Sequence, residues 1–177
     1  MFLVNNRPQT QTSNEFDMYI KNVQLLNFGS LIAFDEERTF TNESLTGYYI
    51  HSSGINFINQ LDTLESAIGL SFGIEYYLEG FNNSQHEDVH FISRIIHPTI
   101  TNPTSNESIS ETVERKYTYL NEANYDYFQF EYDWEVKSGI WTFQVIEDDT
   151  VLLEKRFTIN WTYEATSIRD LSYPYKV

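Results

Sequence analysis

The most regular hydrophobic pattern in the chain lies near its C-terminus, between residues 139 and 159. Trp141, Phe143 and Val145 recur at every second position, and a second alternating run follows the acidic stretch 147–150. A period of two places the apolar side chains on one face of a β-strand, and the composition Glu-Asp-Asp-Thr is typical of a turn. The pattern therefore predicts a β-hairpin that buries one face.

Two segments nearer the N-terminus show the same alternation with local interruptions. Residues 17–28 carry apolar side chains that change phase near Lys21, which is typical of a strand with a β-bulge. Residues 68–78 alternate cleanly and place Gly69 and Gly73 on the face opposite to the apolar side chains. Glycines in a strand allow another backbone or side chain to approach closely. Both segments are predicted to be strands, and the second is predicted to have a closely packed neighbour.

Shorter patterns predict the remaining regular elements. Residues 89–96 are rich in β-branched side chains, and residues 126–134 place four aromatic rings on one face of a strand. Short apolar runs at 47–50 and 55–58 predict two brief strands. Residues 61–66 are the one place where a helical turn is predicted.

Two polar segments without periodicity are predicted to be irregular connections. The first covers residues 35–44, and the second is the long stretch 97–115, which contains Pro98 and Pro103. Long connections in compact domains carry function or are mobile. The second segment is therefore the main candidate for a recognition loop.

The predicted elements indicate an all-β fold with little helix. Several short strands separated by turn signals are typical of an antiparallel β-sandwich. A length of 177 residues predicts one domain. We place this domain at residues 16–163, with a flexible N-terminal arm at 1–15 and a C-terminal tail at 164–177.

Three short motifs accompany this pattern. They are Gly-x-x-Phe-Gly at Gly69, Phe72 and Gly73, two X-Pro pairs at His97-Pro98 and Asn102-Pro103, and Gly-x-Trp-x-Phe at Gly139, Trp141 and Phe143. Together they resemble a bacterial family of domains of unknown function, number 3859, over about residues 17–160. The resemblance implies a small immunoglobulin-like β-sandwich. It implies no activity, because the family has no established one.

The composition excludes several kinds of site. The chain has 0 cysteines, which excludes disulfides, cysteine nucleophiles and cysteine-ligated metals. It contains no phosphate-binding glycine motif. Residues 69–73 match the nucleophile-elbow pattern Gly-x-Ser-x-Gly, but that elbow lies between a strand and a helix, whereas Ser71 lies in the middle of a predicted strand, so we reject it.

The net charge of -15 restricts the partners that the surface can attract. Such a surface repels nucleic-acid phosphates and anionic lipids, so we predict neither nucleic-acid nor membrane binding. A partner recognised by charge would be cationic. The alternative is that the acidity only keeps the protein soluble.

The N-terminus determines the predicted compartment. Its apolar stretch covers only residues 1–4, which is too short for the core of a signal peptide, and no apolar run is long enough to span a membrane. If Met1 is the native start, we expect a cytoplasmic protein. If a signal peptide has been removed ahead of it, we expect an exported one.

Residues 86–90 match the zinc motif His-Glu-x-x-His, in which Glu87 would be the general base. That motif requires a helix, which brings His86 and His90 onto one face. Here turn residues precede it and a predicted strand follows. In a strand the two histidines would lie about 13 Å apart. We therefore predict no metal and no other cofactor.

Glu131, Asp133 and Glu135 alternate along a predicted strand and would share one face. Paired carboxylates serve glycosidases and calcium sites. Neighbours on one strand face are about 7 Å apart, and this is the polar face of the strand. We therefore predict that these three carboxylates face solvent.

We predict a non-enzymatic binding or accessory module that recognises a protein partner. The candidate contacts belong to the predicted loop and the tyrosines that follow it, namely His97, Pro98, Asn102, Pro103, Tyr117 and Tyr119. A mobile connector without a partner is the alternative for this loop. Two other functions stay open. One is a hydrolase that uses His86 and His90 or Glu131 and Asp133, and the other is an acidic inhibitor or immunity-like protein that caps a basic partner.

Overall fold

The computed structural model describes residues 19–81 and 88–161. The predicted arm (1–15) and tail (164–177) lie outside the described residues. The described part consists of strands and one short 3₁₀ helix. In chain order these are β1 (Ile20–Phe34), β2 (Glu37–Phe40), β3 (Tyr48–His51), β4 (Gly54–Phe57), β5 (Thr63–Glu65), β6 (Ser71–Gly80), β7 (Asp88–Thr101), β8 (Ser108–Tyr119), β9 (Ala123–Gln129), η1 (Asp133–Glu135), β10 (Gly139–Glu147) and β11 (Thr150–Asn160).

The strands form two sheets that pack face to face. One sheet has the order β4-β1-β6-β9, and the other has the order β5-β11-β10-β7-β8. A separate hairpin pairs β2 with β3. All neighbouring strands are antiparallel except β5, which runs parallel to β11. The predicted all-β antiparallel sandwich is confirmed.

The predicted C-terminal hairpin is confirmed as β10 and β11. Glu147 pairs with Thr150, which leaves Asp148 and Asp149 as the two turn residues. Their φ angles are 45° and 60°. Positive φ at both positions is the mark of a type I′ turn, whose twist matches that of the flanking strands. Trp141 is completely buried on the inner face, as the alternation predicts.

The core is aromatic. Phe72 lies at its centre and contacts Phe130, Trp141, Phe143 and Phe157 with ring centroids 5.5–5.8 Å apart. Most of these contacts are edge-to-face, which is the arrangement that ring quadrupoles favour. All five rings are buried completely, so the two sheets are joined by interlocking rings.

The predicted bulge near Lys21 is present in β1. The register against β6 shifts between Ile20 and Asn22 and again between Leu25 and Asn27. The chain therefore changes phase twice, because each extra residue moves the following side chains to the other face of the sheet.

Two local predictions in the first half of the chain are wrong. Residues 35–44 were predicted to be irregular, but they contain β2, which pairs with β3. Residues 61–66 were predicted to form a helical turn, but they contain β5, in which Leu64 is buried and opposite Ile159. A parallel partner almost a hundred residues later leaves no trace in local periodicity, so tertiary burial overrides the local preference.

The predicted long loop at 97–115 is also wrong. Strand β7 continues to Thr101, and β8 begins at Ser108, so the irregular part is only the turn between them. The register shifts between Ile96 and Ile100, and this bulge accommodates Pro98 within the strand. The segment lacks apolar alternation because β8 is an edge strand with polar side chains on both faces.

Gly73 offers a direct test of the β6–β9 pairing. A Cβ atom at this position would lie 2.7 Å from Cα of Tyr127 and would clash with the carbonyl oxygen of Asp126. We expect Gly73→Ala to lower the free energy of unfolding by about 3 kcal/mol, because backbone atoms must move. Gly54→Ala is the control, since a Cβ atom there meets open space. Urea titration of both variants measures the difference, and equal midpoints would contradict the close approach.

Candidate functional site

The sandwich is open along one side, where β8 and β9 are the edge strands of the two sheets. A cavity of about 470 Å³ lies between these edges. Side chains of β3, β7, β8, β9 and the segment around η1 line it. The hairpin β2–β3 lies over its outer side.

Tyrosine hydroxyls attach the covering hairpin to both edges. Tyr49 donates a hydrogen bond to the carbonyl oxygen of Val113 in β8, with a distance of 2.9 Å. Tyr125 in β9 donates one to the carbonyl oxygen of Ser52, with a distance of 2.5 Å. One acceptor belongs to the edge strand β8, and the other belongs to Ser52, directly after β3, so the hairpin is connected to both sheet edges.

A charged cluster fixes the end of the hairpin. Glu131 pairs with Arg38 at 2.5 Å and accepts a hydrogen bond of 2.6 Å from the hydroxyl of Tyr48. The Arg38 guanidinium also lies 4.7 Å from the centroid of the Tyr48 ring. Burial raises the pKa of Tyr48, and the hydrogen bond to Glu131 adds to the shift. Tyr48 is therefore a neutral donor at physiological pH.

The inner face of β8 is polar. Thr112, Glu114 and Lys116 pair with buried residues of β7 and line the cavity. In a closed sandwich these inward positions would carry apolar side chains. Here they point into the space between the sheet edges instead.

Lys116 and Asp126 form an ion pair inside the cavity, from β8 to β9. Asp126 is only 5% exposed and also accepts a hydrogen bond of 2.9 Å from the buried hydroxyl of Tyr76. Burial alone would lower the pKa of Lys116, but the negative charges of Asp126 and Glu114 outweigh it and the pKa is raised. Burial raises the pKa of Tyr76, and Asp126 adds to that shift. The lysine stays charged and the tyrosine stays neutral.

Glu114 is less firmly held than Asp126. Its carboxylate lies 4.0 Å from Nζ of Lys116 and 4.0 Å from Nδ1 of His51. Both distances exceed hydrogen-bond length. Glu114 therefore lines the cavity with acceptor capacity that these two contacts leave unused.

His97 lies at the inner end of the cavity. Its ring stacks on Trp141 with centroids 4.9 Å apart and an interplanar angle of 28°. Nδ1 donates to the carbonyl oxygen of Pro98 at 2.9 Å, which leaves Nε2 to accept from Thr112 at 3.4 Å. Burial lowers the pKa of His97. The neutral His97 ring has one long contact to a hydroxyl and forms part of the cavity wall. This contact does not resemble that of a histidine that activates a hydroxyl as a nucleophile.

The hydroxyl of Tyr127 is buried near Ser52, without a hydrogen bond of regular geometry. Burial raises its pKa to about 12, and the neighbouring Ser52 opposes this shift. Buried polar groups in proteins are nearly always paired. This hydroxyl is therefore available to a ligand in the cavity.

The three carboxylates at 131–135 do not share a solvated strand face, so that prediction is wrong. Strand β9 ends at Gln129, and η1 turns the chain. Glu135 is buried and accepts the backbone N–H groups of Glu131 and Tyr132 at 2.8 and 3.0 Å. Burial raises its pKa, although these bonds oppose the shift. These contacts give Glu131 and Glu135 structural roles.

The six residues predicted as binding contacts fall into different places. His97 and Tyr117 line the cavity. The side chain of Asn102 donates to the carbonyl oxygen of Leu45 at 2.8 Å and holds the loop before β3. The remaining three residues do not line the cavity. Pro98 covers Gly139, Pro103 is exposed in the β7–β8 turn, and Tyr119 is 42% exposed on β8.

The zinc motif is only partly described. His86 and Glu87 lie outside the described residues, whereas His90 is an exposed residue of β7 whose ring lies 4.6 Å from that of Tyr117. Within residues 19–81 and 88–161, no three His, Asp or Glu side chains are grouped to hold a metal ion. The same part of the chain has no helix long and apolar enough to cross a bilayer.

The sequence pattern did not identify Lys116, Asp126 and Glu114 as site residues. A signal for Asp126 exists, because it has the same parity as the inward-facing Phe128 and Phe130 and is the acidic member of that series. A charge at an inward position is costly unless it is paired. Parity alone does not identify the partner, because Lys116 belongs to the other sheet.

The lowered pKa of His97 predicts a pH dependence. The unfolded chain takes up a proton below about pH 6.5, whereas the folded state resists it. The free energy of unfolding should therefore fall as pH drops below that value. We expect His97→Gln to flatten this decline and the exposed control His90→Gln to keep it. Urea titrations between about pH 8 and 5 measure it, and equal slopes in all three proteins would contradict the assignment.

Comparison with known proteins agrees with the fold. The model of the family described as domain of unknown function (DUF3859) matches residues 21–159. An immunoglobulin-like protein from Pseudomonas aeruginosa is similar in structure, with a TM-score of 0.50 and 17% identity, over 78% of this chain and 97% of the other. No curated protein matches in sequence. The chain belongs to the DUF3859 family and has an immunoglobulin-like fold.

Proposed function

We propose that this member of the DUF3859 family is a non-enzymatic binding module that holds a small polar ligand between β8 and β9. One observation carries the proposal. Inner faces of a sandwich are normally packed with apolar side chains, yet a space of about 470 Å³ here is lined by Thr112, Glu114, Lys116 and Asp126.

The size and chemistry of the cavity support a small ligand. Pockets for small molecules are about 300–1,000 Å³ and combine aromatic walls with a few polar groups. A buried ion pair such as Lys116–Asp126 adds little stability compared with apolar packing. A sandwich that needed only to fold would gain by filling this space, so ligand binding is the simplest reason to keep it open.

The arrangement favours binding over catalysis. The carboxylate of Asp126 is held by Lys116 and Tyr76, and the ring of His97 is fixed between Trp141 and backbone. Groups with these contacts are positioned to define the shape and charge of the cavity. The sequence predicts protein recognition from a long irregular loop at 97–115. Strands β7 and β8 occupy most of that segment instead.

A cavity-filling substitution tests the proposal. Thr112→Trp places a large ring in the cavity, and Thr101→Trp is the control on the exposed face of β7. We expect wild-type protein purified from its native host to release a small molecule on denaturation, in about equimolar amount, detected by mass spectrometry. The control should release it and the filled variant should not.

Two further conditions make the test decisive. Ala123→Trp, at the rim of the cavity, replaces Thr112→Trp if the latter does not fold. The melting temperature of each variant is measured first. Release of the same compound by all variants, or of none by wild type, would reject the cavity as the binding site.

The acidity of the surface supports a second candidate, an acidic module that caps a basic protein partner. The net charge of -15 would steer such a partner and make binding strongly salt-dependent. If this candidate is correct, a basic partner should dissociate as the salt concentration rises, and Thr112→Trp should leave its binding unchanged. Binding that is abolished by Thr112→Trp would instead favour the cavity.

A further inference from the structure

We infer that the ligand of this cavity is a small organic ammonium ion, an inference that rests on the proposed binding function. The charges around the cavity provide the first step. Asp126 is neutralised by Lys116, and Glu131 is neutralised by Arg38. Glu114 lies on the inner face of β8, and its ion-pair contacts among the described residues are both 4.0 Å long, which is beyond hydrogen-bond length.

The neighbours of Glu114 do not neutralise it. Lys116 lies 4.0 Å away and makes a closer contact with Asp126. His51 also lies 4.0 Å away, which is beyond hydrogen-bond length. A half-buried carboxylate with free acceptor sites gains most from a cation that can approach to hydrogen-bond distance.

Aromatic rings supply the other half of an ammonium site. Tyr48, Tyr49, Tyr127 and Trp134 are among the residues that line the cavity. Ring faces attract organic cations, and carboxylates beside such rings complete their recognition. Tyr48 already shows this preference, because the Arg38 guanidinium lies 4.7 Å from its ring centroid.

The same features disfavour an anion. An anionic ligand would meet Glu114 and a protein with a net charge of -15, and Lys116 is already paired with Asp126. The buried hydroxyl of Tyr127 can accept a hydrogen bond from an ammonium N–H group. The cavity volume of about 470 Å³ suits a free small molecule better than a protein segment.

Isothermal titration of the full chain with matched probes tests the inference. Choline is compared with its neutral isostere 3,3-dimethyl-1-butanol, and putrescine is compared with 1,4-butanediol. We expect at least one cation to bind about tenfold or more tightly than its neutral match. Glu114→Gln should weaken cation binding about tenfold to a hundredfold. Glu111→Gln, with the same charge change on the outer face of β8, should not alter it.

Three results of these titrations would each overturn the inference. They are equal affinity for cation and neutral match, unchanged affinity in Glu114→Gln, or no ammonium binding up to about 10 mM. A neutral or anionic compound released from the wild-type protein and not from Thr112→Trp would also reject it, while leaving the proposed binding function intact. Binding of a lysine-containing tripeptide, without binding of any free amine, would reject a small molecule in favour of a partner protein.

Discussion

Trp141→Ala is expected to lower the free energy of unfolding by about 3–5 kcal/mol, among the largest effects of any single substitution in this chain. The ring is completely buried and contacts Phe72, Phe128 and Phe130 with centroids 4.8–5.5 Å apart. Its removal leaves a large cavity between the two sheets, and the rings around it cannot close the space without moving both sheets. Its Nε1–H group also donates to the carbonyl oxygen of Lys137, a bond that is lost as well.

Trp161→Ala is the matched control for this substitution. Trp161 follows the last residue of β11 and is 60% exposed. We expect its loss to change the free energy of unfolding by less than about 1 kcal/mol. Urea titrations followed by far-UV circular dichroism measure both variants. Equal destabilisation by the two substitutions would contradict the assigned core.

Asp126→Ala is expected to cost about 3–5 kcal/mol of unfolding free energy, because it leaves the ammonium group of Lys116 without its counter-charge. The substitution also removes the hydrogen-bond acceptor of the buried Tyr76 hydroxyl. A buried donor without an acceptor carries its full desolvation cost. The loss should therefore exceed the value of the ion pair itself.

Two matched variants separate this explanation from a general loss of packing. Glu79→Ala removes the carboxylate of an exposed ion pair, Lys21–Glu79, whose N–O distance is 2.5 Å, and should lower the stability far less, because solvent screens exposed pairs. Combining Asp126→Ala with Lys116→Met should recover part of the loss, because the ammonium group that lost its Asp126 counter-charge is then removed as well. A double variant that is less stable than Asp126→Ala alone would contradict the role assigned to the lysine.

The two largest predicted losses of stability, at Trp141 and Asp126, lie in neighbouring parts of the molecule. The first part is the apolar aromatic core, and the second is the charged part of the cavity. His97 connects them, since its ring stacks on Trp141 and its Nε2 faces Thr112 of the cavity wall. The aromatic core ends at this histidine, and beyond it polar side chains join apolar ones in lining the space between the sheets. The stable core therefore provides a rigid floor for the cavity, which is the arrangement expected of a binding site built on a scaffold.

The acidic surface and the cavity chemistry point to the same sign of ligand charge. The net charge of -15 follows from composition alone, whereas the placement of Glu114 beside tyrosine rings follows from the fold. The net charge raises the local concentration of cations around the protein. The carboxylate of Glu114 and the rings of the cavity would select among these cations at short range.

The two missed strands β8 and β5 share one cause. Strand β8 was assigned to an irregular loop because its sequence lacks apolar alternation. Its inward side chains face a polar cavity, so a burial-based pattern does not mark them. Strand β5 was missed because its partner β11 lies far away in the chain. In both cases the information that defines the strand is outside the local sequence.

The sequence by itself determined the elements whose side chains alternate between core and solvent. The β10–β11 hairpin, its two-aspartate turn, the bulged β1 and the all-β class follow from local periodicity and turn chemistry. Only the tertiary structure decided which edges meet. Lys116 and Asp126 belong to different sheets, and their pairing depends on how the two sheets are stacked. The cavity exists because those edges stay apart, and a space between distant segments has no signature in any one of them.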